Sequence, residues 1–282
     1  MGWIPDCRRA LLFAAALCMA APGLADGARH TFWAVRGQYN TVWLFGSVHV
    51  LKAGDRDLPA VALQAYADAG ALVMELDLSD AGAQGTDGGS VDGELLPEGQ
   101  TLGAALGPAA YATLQAHLQP LGLDAGQFSR MQPWFVAITV EQLELARLGF
   151  DAGSGVEMQF TRRAQADHKP VIALETVAEQ LRIFSHLSPD EQRRFLRYCL
   201  EDSADSGREM DAIVAAWRGG DTVQLERLLG EGFADFPDLY RLLSTERNRR
   251  WLPRIESMLH DRRDYLVTVS YTHLTLPTIY SV

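Results

Sequence analysis

Thr41-Val42-Trp43-Leu44-Phe45-Gly46-Ser47-Val48-His49 runs a β-prone apolar stretch directly into a glycine and a histidine. Residues of this kind favour a pleated, half-buried strand. The strand therefore ends near Gly46, with His49 at its carboxyl end. Open α/β sheets bind their ligands along that edge, and Gly46 lets the backbone turn tightly or approach a ligand closely. A lone histidine also serves as a structural residue, so this stretch by itself leaves both roles open.

Working outward, Thr31-Phe32-Trp33-Ala34-Val35 repeats the composition across Arg36-Gly37-Gln38-Tyr39-Asn40, which predicts a hairpin. Downstream, Leu58 to Ala69 has helical spacing, and Ala71-Leu72-Val73-Met74-Glu75-Leu76 is a short apolar run of the buried-strand type. Strand, helix and strand in succession suggest a βαβ element. Glu75 interrupts the apolar run, and a buried carboxylate is costly unless it is paired, hydrogen-bonded or metal-bound. The strand that ends at His49 is expected beside it, so His49 and Glu75 should converge to within about 5 Å or be bridged by one ion or water, since ligands of one ion approach it at about 2.0–2.2 Å.

Asp80 to Gly99, rich in Gly, Asp and Ser, reads as a loop. From Leu102 the pattern turns mostly helical. Pro133 suits the first turn of a helix running to Leu145. A helical stretch follows Gly155, and Val171-Ile172-Ala173-Leu174 reads as a strand. Ser188-Pro189-Asp190-Glu191 is a capping-box helix start. Helices continue to about His260, and Tyr265-Leu266-Val267-Thr268-Val269 returns to strand. These elements predict an α+β or α/β single domain: a small mixed sheet with many covering helices and a site at the strand carboxyl ends.

The chain of 282 residues is 48% hydrophobic, enough for a sizeable core. Its formal charge is −11, a field that attracts neither nucleic acid nor anionic lipid. Arg8 and Arg9 precede an apolar run of about a dozen residues that ends in Pro22-Gly23-Leu24-Ala25, the order of a secretory signal. That run is too short to span a bilayer, which takes roughly 20 residues. The expected product is a periplasmic or secreted chain cleaved after Ala25, or alternatively after Ala21, with no stable membrane span. Leu17 is too bulky before Cys18 for lipoprotein processing. Without the leader only Cys199 remains, so no internal disulfide forms; its helix-like surroundings read as those of a small buried hydrophobe.

Phe32-Trp33-Ala34-Val35, Trp43 to His49, the Glu75 strand, Lys169-Pro170-Val171-Ile172-Ala173-Leu174-Glu175-Thr176 with Glu179-Gln180, and Arg247-Asn248 with Trp251 stand in one order. Over residues 31 to 269 the chain resembles the TraB/GumN family, which includes the Tiki proteases and is thought to share its fold with the erythromycin-esterase and ChaN-like proteins. The resemblance implies a metal-dependent hydrolase-like centre made of two Gly-x-x-His elements, a carboxylate and an Arg-Asn pair. By that likeness His49, Glu75 and His273 would be metal ligands, and Glu75, Glu175, Arg247 and Asn248 catalytic residues. The ion would be Zn²⁺, Mn²⁺ or Co²⁺, lowering the pKa of bound water and polarising a carbonyl. An arginine fork could bind a carboxylate or a developing oxyanion. On the residues alone, Arg247 among Glu246, Arg249 and Arg250 has the pattern of a solvated helix face, and Glu175 that of a first-turn carboxylate.

The second Gly-x-x-His is altered, because Ser270-Tyr271-Thr272-His273 has serine in the glycine place. Leu274 to Val282 lacks the family's further glycine and closing helix. Residues 1–25 are thus read as leader, 26–269 as the domain and 270–282 as a non-native or truncated tail. A loosely held His273 would leave the chain weakly active or inactive. The function expected is exported, metal-dependent hydrolysis of a peptide or other acyl substrate, with no nucleic-acid partner. The rivals are a non-catalytic envelope or polysaccharide-associated binding protein and a haem- or metal-binding protein.

Overall fold

The computed structural model describes residues 30–79, 93–201 and 203–274. The expected leader, residues 80–92 of the expected loop, and residues 275–282 of the expected tail lie outside the described residues. Five strands form one sheet: β1 (Phe32–Arg36), β2 (Thr41–Ser47), β4 (Ala71–Met74), β6 (Val171–Ala173) and β7 (Tyr265–Ser270), in the order β1-β2-β7-β4-β6. A separate two-stranded ribbon pairs β3 (Leu51–Lys52) with β5 (Phe150–Asp151). The predicted hairpin is present, with Phe32 opposite Phe45 and Arg36 opposite Thr41.

One expectation is corrected. Glu75 does not neighbour the strand leading to His49, because β7 lies between them, parallel to β2 on one side and to β4 on the other. The physical reason lies in β7 itself, which is buried at all six positions. Leu266 joins the core on one sheet face, while Tyr265, Val267 and Val269 join the core on the other. Parallel strands covered on both faces carry such continuous apolar runs, and β4 is buried throughout as well. β1 is the partly exposed edge.

The helices are α1 (Ala60–Asp68), α2 (Leu102–Leu106), α3 (Pro108–Leu118), α4 (Pro133–Arg147), α5 (Val156–Ala166), α6 (Val177–Ser185), α7 (Pro189–Glu201), α8 (Ser203–Gly219), α9 (Thr222–Gly232), α10 (Pro237–Tyr240), α11 (Glu246–Met258) and α12 (Tyr271–Leu274). A π-helical segment, Arg241–Thr245, joins α10 to α11. Against one sheet face pack Ala65 and Tyr66 of α1, Phe160 of α5, Trp217 of α8 and Leu225 of α9. Against the other pack Trp251 and Met258 of α11. A third core joins α2, α3, α4 and α7 through Leu102, Leu114, Leu118, Val140 and Leu196. The capping box that starts α7 forms as predicted: Ser188 N–H donates to Glu191 Oε2 at 2.8 Å and Glu191 N–H to Ser188 Oγ at 3.3 Å. This is a mixed α/β architecture, as expected. Its parallel strands β2, β7, β4 and β6 bring four carboxyl ends to one edge.

Candidate functional site

Each of those four strand ends delivers one side chain of a common cluster. His49 follows β2, Glu75 follows β4, Glu175 follows β6, and the short turn α12 presents His273 after β7. Close packing fixes the first of them. Gly46 N–H donates to Thr31 O at 2.7 Å, and Gly46 O accepts from Trp217 Nε1 at 2.7 Å. A Cβ on Gly46 would come within 3.0 Å of Thr31 Cβ and 3.2 Å of Tyr271 Cα, so only glycine lets β2 pass this close to α12. Gly155 lies where a Cβ would collide with the His49 carbonyl, and Val156 N–H donates to Val48 O at 3.1 Å. The start of α5 is thereby clamped to the turn that carries His49.

Arg247, from the first turn of α11, is the hub. Nε donates to Glu175 Oε1 at 3.0 Å; Nη1 donates to Leu243 O at 3.0 Å and meets His273 Nε2 at 3.0 Å; Nη2 donates to Glu75 Oε2 and Glu175 Oε1, both at 2.5 Å. All five of its N–H groups are committed within the protein. The guanidinium is therefore not the open fork expected for a substrate carboxylate or oxyanion, because its donors were taken on folding. Arg247 cannot accept, so His273 Nε2 is the acceptor and the ring proton resides on Nδ1, 2.7 Å from Asn248 Oδ1. Asn248 Nδ2 also donates to His273 O at 3.0 Å. Asn248 thus holds both ring and backbone of the histidine, and Trp251 packs 4.5 Å from the ring.

His273 is 3% exposed; the residues after Leu274, expected to support it poorly, lie outside the described residues. The fold continues through Leu274, with Ser270 in register opposite Ser47. Ser270 does what the absent glycine's backbone could also do: its N–H donates to Glu75 Oε1 at 2.7 Å.

Burial opposes ionisation of Glu75, but the charges of His273, Arg247 and His49 and the Ser270 N–H outweigh it, holding the carboxyl at about 2. Burial pushes His273 down to about 4. His273 is consequently uncharged at neutral pH, and Arg247 is then the standing counter-charge of Glu75. Glu175 is raised by burial in spite of Arg247, with Glu75 adding to the rise.

His49 differs from these buried groups. Its Nδ1 lies 3.0 Å from Glu157 Oε1, and its side chain is 57% exposed. Ser47 Oγ hydrogen-bonds to the same carboxylate oxygen. The Glu157 charge is the main cause that raises His49 to about 9, against burial. The ring lines a cavity and is reached by water. Glu157 was not singled out in the sequence. Its signal was an acid next to Val156, Phe160 and Ala164, the buried stripe of α5, and it is itself only 6% exposed.

The cavity measures about 570 Å³. His49, Glu75, Arg247 and His273 lie along it, with a wall that includes Phe184, Phe195, Leu229, Phe236 and Tyr240. His49 and Glu75 thus face one space, while Glu175 and Asn248 stand behind its lining and act through Arg247 and His273. Cys199 is half-buried in the wall. Among the described residues, no group of three or more His, Cys, Asp and Glu converges as metal ligands do. Of the expected ligands, Glu75 and His273 are neighbours, with Nε2 3.6 Å from Oε1. Arg247, Ser270 and Gln180, however, already bond both Glu75 oxygens, and Arg247 the acceptor nitrogen of His273. The donor set does not fit a bound metal ion.

Among the described residues no helix is long and apolar enough to cross a membrane. No solved structure matches the chain. The uncharacterized protein YbaP of Escherichia coli (strain K12) is 26% identical over 231 residues, 82% of this chain and 83% of that protein. An uncharacterized protein of Treponema pallidum (strain Nichols) is 24% identical over 217 residues, 75% of this chain and 64% of its own length. The model of the TraB/PrgY/gumN family matches residues 31–279, a span that takes in every strand of the sheet and every member of the buried cluster, and the chain belongs to that family.

Proposed function

We propose that the chain is an exported hydrolase that cleaves a peptide or other acyl bond, with His49 as the proton-transfer group. The observation that carries this reading is the division of labour between the two histidines. His273 has both ring nitrogens committed inside the protein. His49 has Nδ1 turned to Glu157, which leaves Nε2 for whatever enters the cavity. A carboxylate behind a histidine fixes its tautomer and orientation for acid–base work. Water held at Nε2 would add to the substrate carbonyl carbon, giving its proton to His49 as the C=O electron pair moves onto oxygen. On collapse, the bond to the leaving amine or alcohol breaks and His49 returns the proton to that leaving group. The apolar wall suits a substrate that carries an apolar group next to its carbonyl.

Because Glu157 keeps His49 protonated at neutral pH, the base form grows as pH rises toward about 9. Assay of the purified chain on N-acyl peptide amides and aryl esters between pH 6 and 10 tests the proposal. A rate that climbs with pH and falls about a hundredfold or more in His49→Ala supports it; saturable binding with no turnover at any pH rejects it in favour of a binding role. A second reading, haem binding, draws on Tyr198 and Cys199, which line the apolar cavity and are of the residue types that ligate haem iron. A Soret band on haemin titration that Cys199→Ser removes would favour it.

A further inference from the structure

We infer that the guanidinium of Arg247 is the resident cation of the strand-end centre and that this centre takes no divalent metal ion. The first ground is occupancy. An ion must approach each ligand atom to roughly 2 Å. Between Glu75 Oε2 and His273 Nε2, the natural donors of such a site, stand Arg247 Nη2 at 2.5 Å and Nη1 at 3.0 Å. The other oxygen of Glu75 accepts from Ser270 N–H at 2.7 Å, and the other nitrogen of His273 is turned to Asn248 Oδ1 at 2.7 Å. Glu75 thus accepts hydrogen bonds at both oxygens, and the one unprotonated ring nitrogen of His273 faces Arg247.

The second ground is charge. Glu75 and Glu175 are buried together, and one buried arginine bridges them, with the half-exposed Arg250 Nη2 3.6 Å from Glu175 Oε2. The negative charge that would draw an ion is already answered. A divalent ion entering here would meet the guanidinium as a like charge where little water screens it. Binding would also require Arg247 to give up Glu75 and His273. Its five donors would then be left partly unpaired while 4% exposed, the costliest way to break a buried ion pair.

The third ground is rigidity. Arg247 stacks 4.6 Å over the Trp251 ring, and Nη1 is tied to Leu243 O one turn back along the helix. These contacts hold the guanidinium where it stands.

The inference does not depend on the hydrolase reading, since metal binding is measured without turnover. Calorimetric titration of the full chain with ZnCl₂, MnCl₂ and CoCl₂, alongside thermal melts with and without EDTA, tests it. The expected result for the wild type is no stoichiometric uptake and no chelator-dependent change in melting. Weak heat that persists unchanged in Glu75→Gln with His273→Ala arises elsewhere on the surface and agrees with the inference. Arg247→Met removes the charge and leaves Glu75, Glu175 and His273 together; it should gain affinity for one ion by on the order of tenfold or more, and lose that gain when Glu75→Gln is added. One equivalent bound by the wild type and abolished by Glu75→Gln would overturn the inference, as would a folded Arg247→Met chain with no gain. Should Arg247→Met fail to fold, the wild-type titration still decides.

Discussion

Glu157 shows how one carboxylate sets the chemistry of its neighbour. It lies buried at the first turn of α5, receives Ser47 Oγ, and faces His49 Nδ1 at 3.0 Å. Glu157→Gln keeps the shape and removes the charge that raises His49, so the proton affinity of the ring should fall from about 9 toward its ordinary 6.5. The rising limb of the pH–rate profile should then move acidward by about two units, with the plateau rate lowered roughly tenfold or more through lost orientation. An unchanged limb with a lowered plateau would reduce Glu157 to a packing role. Glu75 shows the opposite case, a carboxylate with no freedom left: each oxygen already accepts a hydrogen bond, so its business is to hold Arg247 in place and to receive the end of β7.

Among the elements, β7 carries the most. Leu266→Ala, at a fully buried position between two parallel neighbours, should destabilise the chain by roughly 2–5 kcal/mol in urea unfolding. Leu252→Ala, on a residue of α11 that is 47% exposed, should change stability by less than about 0.5 kcal/mol. The contrast checks the sheet order, since an edge strand would show little such penalty. Much of this was legible beforehand. The hairpin, the helix starts at Pro133 and Ser188, and the strand through Val73-Met74, read as far as Leu76 and ending at Met74, follow from local period and capping, which need no knowledge of the rest of the chain. The neighbour of β4 was not legible, because an apolar strand buried on both faces matches any parallel partner equally well. The position of β7 is set instead by the helices that cover both of its sides. On the residues alone, without the family resemblance, Arg247 read as a solvated charge for the same reason: its partners Glu75, Glu175 and His273 are far away in sequence, and local charge pattern records only Glu246, Arg249 and Arg250. Glu157 was hidden by its place in a first helical turn, where an acid is ordinary.

For the molecule as a whole, the buried cluster predicts how stability follows pH. His273 is held at about 4 when folded, below its ordinary 6.5, so the unfolded chain takes up the proton first. Stability should therefore fall as pH drops from 6.5 toward 4. Glu75 is held at about 2 against an ordinary 4.5; its contribution is present above 4.5 and is lost as pH falls through 4.5 toward 2. His49 is raised, so its contribution is present below 6.5 and is lost as pH rises through about 9, muted by the water that reaches its ring. Urea midpoints should be highest near pH 6.5 and lower at pH 4 and pH 9; a flat profile between 4 and 6.5 would show that His273 is not buried in its neutral form. The strand order also sets a timetable for folding. The β1–β2 hairpin and the β4–β6 pair share no ladder until β7, which lies beyond all the helices from α6 to α11, inserts between them. Each pair alone is a two-stranded piece, marginal in water. Sheet closure must wait for a contact of high sequence separation, which slows the rate-limiting step. During that wait β2 and β4 present bare inner edges, so the nascent chain is most exposed to sticking to its own copies just before its central strand arrives.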